Sequence, residues 1–161
     1  FLFEDLDWTL VAAGVALTVT QAAGVGGRIF WGYLSDRWFG PAMMLIVLVF
    51  LLIVGAVGTA LLTPQTSPWI LYPILIIFGA SAIGWNGVYL AEIARQAPAG
   101  QAGTATGGTL CITFLGVMVG PPLFGMLAGV FHSYSISYAF LTIPAALMLV
   151  LLIPLRNKKV S

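Results

Sequence analysis

Long apolar segments alternate with short polar runs along this chain, and the polar runs hold glycine, proline and most of the charged residues. A helix of roughly 20 apolar residues is long enough to cross a bilayer. Because lipid offers no hydrogen-bond partner to backbone groups, such segments are expected to be helical. The pattern therefore predicts five membrane helices, at about residues 8–34, 42–62, 69–90, 104–130 and 138–153.

The amino-acid composition places these segments in a membrane rather than in a soluble core. Of the 161 residues, 60% are hydrophobic and 7% are charged, whereas roughly a quarter of the residues of soluble domains are charged. We therefore predict an all-α fold, a polytopic bundle of membrane helices that forms a single membrane domain over residues 1–161. The single cysteine, Cys111, lies in an apolar segment and is interpreted as a packing residue.

The charged residues predict which way the bundle faces, because cytoplasmic ends of membrane helices carry an excess of Lys and Arg. All six basic residues fall toward one side of the predicted bundle. They are Arg28, Arg37, Arg95, Arg156, Lys158 and Lys159, and the opposite side carries Glu4, Asp5, Asp7 and His132. We therefore expect the basic side, with the C-terminus, in the cytoplasm and the acidic start of the chain outside.

A short motif begins at the end of the first predicted helix and runs toward the second: Gly32 is followed four residues later by Asp36 and Arg37. This spacing resembles the loop signature of the major facilitator superfamily. Gly40 stands one place later than the second glycine of that signature, and the two positions after it lack the basic residues of the family. The form seen here resembles the second copy of the signature, between the eighth and ninth helices, more than the first copy.

The resemblance implies that the chain matches the eighth to twelfth helices of a twelve-helix transporter, as a fragment that lacks the seventh helix and the first half. It implies secondary active transport of a small solute, such as an organic anion or a related metabolite, by alternating access in the bacterial inner membrane. The implied partners are a small-molecule substrate, the lipid bilayer and the missing N-terminal half, with no cofactor and no nucleic acid. The alternative is a membrane sensor or scaffold that binds a ligand without translocating it.

Polar residues inside the first predicted helix are candidates for a substrate cavity, since polar groups are costly in lipid. Gln21 and Arg28 are spaced so that they share one helix face, two turns apart. Arg28 can contact an anionic substrate or a carboxylate such as Asp36. Of these two interpretations, we favour the pairing with Asp36.

The third predicted helix carries three further cavity candidates, Trp85, Asn86 and Tyr89. Aromatic and amide groups of this kind line ligand cavities. An aromatic belt at the membrane interface is the alternative, and it fits Tyr89 better than Trp85. We expect all three side chains to face one cavity together with Gln21 and Arg28.

The fourth predicted helix is rich in glycine, and its small-x-x-x-small repeats allow helices to approach closely. Gly116, Gly120, Pro121 and Gly125 are therefore predicted to be helix-packing residues. Their pattern resembles the kinked eleventh helix of facilitators. In the helix that is related to the eleventh by the symmetry of the family, the same pattern marks antiporters. The simpler alternative is a kinked helix that packs against its neighbours and takes no part in coupled transport. Thr113 is a further cavity candidate, although a membrane threonine often only bonds the preceding turn.

Charged residues at the basic ends of the first and third predicted helices suggest a cytoplasmic gate. Glu92 and Arg95 are three residues apart and can share a helix face. The resemblance implies that Asp36, in the motif with Gly32 and Arg37, pairs with such an arginine and closes the inner side. The alternative is a set of solvated loop charges that only follow the positive-inside rule.

The sequence does not favour an enzyme. Its only histidine, His132, lies in a predicted turn at residues 132–137 without a nearby nucleophile, and no His, Asp or Glu cluster has metal-ligand spacing. We predict no metal and no cofactor. No acidic residue lies near the middle of a predicted helix. If transport is coupled to protons, the coupling carboxylate is therefore expected in the missing half.

Overall fold

The computed structural model describes residues 1–157, and these form a bundle of helices with no strand among them. Lys158 and Lys159, two of the residues predicted to be cytoplasmic, lie outside the described residues. The helices are α1 Leu10–Leu34, α2 Pro41–Ala60, α3 Pro68–Gln96, α4 Ala102–Phe131, α5 Tyr134–Phe140 and α6 Thr142–Asn157, and a π-helical turn, Ser35–Phe39, follows α1.

Five stretches of the described chain are long and apolar enough to cross a membrane. They are Leu10–Phe39, Pro41–Ala60, Pro68–Gln96, Ala102–Phe131 and Tyr134–Pro154. The short α5 and the longer α6 together make the fifth of these spans. The predicted all-α bundle of five membrane helices is therefore confirmed.

The predicted polar turn after the first helix is instead helical as far as Phe39. The backbone N–H of Gly40 donates to the carbonyl of Ser35 at 2.8 Å, which closes a wide π-type turn. The chain reverses at Gly40, whose φ of 71° is one that glycine adopts without a steric cost. Pro41 then begins α2 at a position that needs no backbone N–H.

The predicted turn at residues 132–137 is also shorter in the structure, because α5 already begins at Tyr134. Asp5 explains the difference: its carboxylate Oδ2 accepts hydrogen bonds from the backbone N–H groups of Tyr134 at 2.9 Å and Ser135 at 3.4 Å. These donors would otherwise lack partners at a helix start. The cap comes from the other end of the chain, so local sequence could not reveal it.

Two apolar clusters hold opposite ends of the bundle. We call the end with Glu4, Asp5 and Asp7 the acidic end, and the end with Arg37 and Arg95 the basic end. At the acidic end, one cluster joins the segment before α1 to α1, to the loop after α2 and to α3; it consists of Leu6, Ala16, Leu62, Leu71 and Leu75. Toward the basic end, the other joins α2 to α3 and consists of Met44, Leu45, Leu48 and Val88.

Helix α3 is central because α1 and α2 both pack closely against it at glycine residues. A Cβ atom added to Gly27 of α1 would lie 2.8 Å from the carbonyl oxygen of Ala80, and one added to Gly55 of α2 would lie 2.9 Å from the Cα of Phe78. A Cβ atom on Gly79 of α3 would collide with the backbone of Thr20. Larger residues at these positions would push the helices apart.

The predicted packing residues of α4 behave differently. Gly116, Gly120, Pro121 and Gly125 are all exposed, and a Cβ atom added to any of the three glycines would meet nothing within 4 Å. The expectation that helices approach closely at these residues is therefore wrong for the described part of this chain. Small residues permit close approach but do not specify a partner, and here the close contacts lie between α3 and its neighbours α1 and α2.

The Asp5 cap gives a direct test of the acidic end. Replacing Asp5 with Ala should destabilise the purified full-length protein by about 1 kcal/mol, because two N–H groups of α5 lose their acceptor. Asp5→Asn keeps an acceptor oxygen and should lose much less. Thermal unfolding of the two variants measures the difference.

Asp7→Asn is the matched control, because it removes an acid from the same segment and asparagine tolerates the φ of 55° found at residue 7. Its unfolding midpoint should match that of the wild type. Equal midpoints for Asp5→Ala and Asp7→Asn would show that the cap does not stabilise the bundle.

Candidate functional site

A cavity of about 440 Å³ lies between α1 and α3 and reaches toward the acidic end. Its size falls in the range of roughly 300 to 1,000 Å³ typical of small-molecule sites. We call it the α1–α3 cavity. It is lined by Phe1, Leu2, Phe3, Ala13, Leu17, Thr20, Gln21, Leu75, Phe78, Gly79, Ala82, Ile83 and Tyr138.

Gln21 brings a free polar group to this mainly apolar cavity. Its side chain is exposed, and its amide has no hydrogen-bond partner among the described residues. Thr20 lies beside it but differs, because its hydroxyl donates to the carbonyl of Ala16 at 2.8 Å. An unpaired amide at membrane depth is available to a ligand or to water.

Arg28 lies two turns from Gln21 on α1 and reaches across to α3. Its Nε donates to the carbonyl oxygen of Ile83, a cavity-lining residue, at 3.4 Å. The favoured pairing of Arg28 with Asp36 is therefore wrong for the described chain. The close approach of α1 and α3 places a backbone carbonyl within reach of the guanidinium, and the remaining N–H groups of Arg28 stay available.

Trp85 and Tyr89 lie on another side of α3. Their rings meet edge to face with centroids 5.2 Å apart, and both pack against the cluster that contains Met44 and Leu48 of α2. The expectation that they share one cavity with Gln21 is wrong. Helix α3 has neighbours on two sides, and the helical period turns these rings toward α2 rather than α1.

Asn86 is half-buried and lies four residues after Ala82 and seven after Gly79, both of which line the α1–α3 cavity. This spacing puts Asn86 on the same face of α3, one turn nearer the basic end. Thr113 of α4 is not among the lining residues, and its hydroxyl donates to the carbonyl of Thr109 at 3.0 Å. This hydrogen bond to the preceding turn is the alternative expected for Thr113 from the sequence.

The predicted gate residues separate into two groups. Glu92 is buried, and its carboxylate accepts from Arg95 Nε at 3.0 Å and Nη2 at 2.8 Å and from the amide of Gln96. The charges of the π-helical turn, Asp36 and Arg37, are exposed and make no ion pair within the described chain. The Glu92–Arg95 pair is therefore already formed, whereas Asp36 and Arg37 remain free for another partner.

Gly32, the remaining residue of the predicted gate motif, lies in the last turn of α1. A Cβ atom added there would meet nothing within 4 Å. No close contact within the described chain therefore accounts for a glycine at this position.

Two residues that shape the site were not predicted from the sequence. Trp31 donates its indole N–H to the carbonyl of Ala80 at 2.9 Å and packs beside Gly84, so it joins α1 to α3. Tyr138 closes the acidic end of the cavity, where its ring meets Phe1 at 5.2 Å and Phe78 at 5.8 Å between centroids. The glycines that face Trp31 are visible in the sequence and could have indicated its contact with α3. The rings around Tyr138 come from distant segments, so no local pattern could have indicated its role.

Comparison with known proteins adds an independent line of evidence. The family model described as Major Facilitator Superfamily matches residues 1–114. The "Benzoate transport protein" of Acinetobacter baylyi (strain ATCC 33305 / BD413 / ADP1) is 28% identical over 158 residues, which cover 98% of this chain and 33% of that relative. The chain thus spans about a third of the length of the curated relative it matches. No solved structure matches the chain significantly.

These matches confirm the family resemblance drawn from the motif at Gly32, Asp36 and Arg37. They also agree with the expectation of a non-enzymatic membrane protein. The assignment of the chain to the eighth to twelfth helices stays a prediction.

Proposed function

The chain belongs to the Major Facilitator Superfamily, and on that premise we propose that it forms part of the C-terminal half of a secondary transporter of a small solute. Its helices would be the eighth to twelfth, and an N-terminal half would supply the other wall of the transport path. Transport would proceed by alternating access, as one bundle rocks against the other around a site at mid-membrane depth. The observation that carries this proposal is the α1–α3 cavity, with the free amide of Gln21 in its wall.

We propose a small organic anion as the substrate. Arg28 supports this, because its charge lies within a membrane helix and one backbone carbonyl of Ile83 accepts only part of its hydrogen-bonding capacity. Phe78 and Tyr138 provide rings that can contact an aromatic group. The named function of the relative, benzoate transport, concerns an anion with both of these features.

A gate at the basic end completes the proposed mechanism. Asp36 and Arg37 have no ion-pair partner in the described chain, whereas Glu92 is already held by Arg95. In the proposal, Asp36 pairs with a basic residue or a helix N-terminus of the missing half when the inner side closes. An anion at a helix N-terminus is stabilised by about 0.3 to 1 kcal/mol, or more when it is partly buried.

The proposed location is the bacterial inner membrane, with the basic end in the cytoplasm. At the basic end, Arg37 lies in the π-helical turn after α1 and Arg95 lies in the last turn of α3, whereas the acidic end carries Glu4, Asp5 and Asp7. The positive-inside rule supports this orientation.

The anion proposal predicts a specific effect of Arg28→Gln. In proteoliposomes that contain the full-length transporter, this variant should raise the KM for benzoate tenfold or more, because hydrogen bonds to charged groups contribute about 1.5 to 3 kcal/mol. Uptake of labelled benzoate over a concentration series measures KM and maximal rate separately.

Arg37→Gln removes the same charge at the basic end and is the matched control, with an unchanged KM expected. A wild-type KM in Arg28→Gln would exclude Arg28 as a substrate contact. Saturable benzoate binding without uptake by the wild type would instead favour the sensor or scaffold.

The gate proposal predicts that Asp36→Asn lowers the maximal transport rate and leaves expression and membrane insertion intact. The substitution removes the charge but preserves the shape of the side chain. Asp7→Asn, at the opposite end, should transport at the wild-type rate. Wild-type turnover in Asp36→Asn would show that Asp36 is only a solvated charge.

The orientation can be tested with single cysteines in a full-length transporter whose native cysteines have been replaced. Gln65 and Gln101 are both exposed, and they lie in the loops at the acidic and basic ends, respectively. In intact cells, a membrane-impermeant thiol reagent should label a cysteine at Gln65 and spare one at Gln101. The reverse labelling pattern would show that the orientation is inverted.

A further inference from the structure

A second, smaller cavity lies between α2, α3 and α6, away from the α1 side of α3. Its volume is about 140 Å³. Its wall includes Leu48 and Leu52 of α2, Ser81 and Trp85 of α3, and Met148 of α6. We call it the α2–α6 cavity. Gln21 and Arg28 do not line it, so it is separate from the proposed transport site.

The α2–α6 cavity offers almost nothing to a polar ligand. Ser81 lines it, but the Ser81 hydroxyl already lies 2.8 Å from the carbonyl oxygen of Ile77 and 3.1 Å from that of Phe78. A buried water molecule needs roughly two to four polar partners. A carboxylate without a partner would lose its hydration and gain nothing in return. The lining therefore excludes the anion proposed for the α1–α3 cavity.

The size and lining suit one class of ligand. An enclosed apolar cavity of about 150 Å³ is large enough to bind benzene in another protein; the volume here is about 140 Å³, in a cavity that is open on one side. The indole of Trp85 adds an aromatic surface, on which a second ring can pack edge to face or offset. We propose that the α2–α6 cavity is a binding site for a small uncharged aromatic compound of about the size of benzene.

Bromobenzene is a suitable probe, because its bromine quenches a tryptophan that it touches. The full-length transporter would be titrated in nanodiscs, and the contribution of Trp85 obtained as the difference between the wild type and Trp85→Phe. Bromobenzene dissolved in the lipid should quench exposed tryptophans such as Trp69 in proportion to its concentration. A bound molecule should instead quench Trp85 with a saturable dependence.

Filling the cavity gives the matched comparison. Leu52→Phe places extra volume in the cavity and should abolish the saturable quenching, whereas Leu147→Phe makes the same change at a position of α6 that is 62% exposed and should preserve it. Unbrominated benzene should compete with the probe in the wild type, a measurement that does not depend on the folding of any variant.

Three results would overturn the proposal. One is quenching of Trp85 that rises only linearly with bromobenzene. Another is competition by benzoate, which would assign the signal to the transport site. The third is equally strong quenching of Trp85 by lipids brominated on their acyl chains, which would identify the occupant as a lipid tail. None of these readouts measures transport, so the proposal can fail independently of the proposed function.

Discussion

The close contact between α1 and α3 positions the polar groups of the proposed transport site, Gln21 and Arg28. Inside a membrane, lipid is as apolar as the helix surfaces, so helices associate through close packing and hydrogen bonds rather than through the hydrophobic effect. Gly27 and Gly79 allow that packing, and the indole N–H of Trp31 adds a hydrogen bond to Ala80 across the contact. The same contact brings the carbonyl of Ile83 to Arg28.

Parts of the chain away from the α1–α3 contact remain exposed in the described structure. Helix α4 is long and apolar, but its most apolar 18-residue stretch has no buried residue within this structure. The charges Asp36 and Arg37 are likewise exposed at the basic end. At the acidic end, by contrast, a hydrogen bond to Asp5 joins the start of the chain to α5, and the ring of Tyr138 contacts aromatic rings from separate segments. The bundle is thus joined at its acidic end, while α4 and the charged π-helical turn are largely exposed within the described chain, where the proposed N-terminal half would pack.

The features that the sequence predicted correctly are those set by local pattern. Segment length and hydropathy predicted five membrane helices, and the spacing of Glu92 and Arg95 predicted a shared helix face, on which the structure shows the two side chains paired. Predictions that depended on three-dimensional neighbours were less successful. Nothing in a single sequence shows that Arg28 meets the carbonyl of Ile83 rather than Asp36, or that the glycines near Gly120 face open space. Trp85 and Asn86 are adjacent on a helix and so point about 100° apart, but only the packing of α1 and α2 against α3 shows which of them faces which neighbour.

Thiol accessibility at Gln21 tests whether the α1–α3 cavity is part of the proposed substrate path. In a full-length transporter whose native cysteines have been replaced, a single cysteine at Gln21 should react with a small charged thiol reagent, because the cavity admits water. Benzoate should slow that reaction. A cysteine at Leu147, which is 62% exposed but lies on α6 outside the cavity, should not react because charged reagents do not enter lipid. An unreactive cysteine at Gln21, or a labelling rate that saturating benzoate leaves unchanged, would show that the α1–α3 cavity is not part of the substrate path.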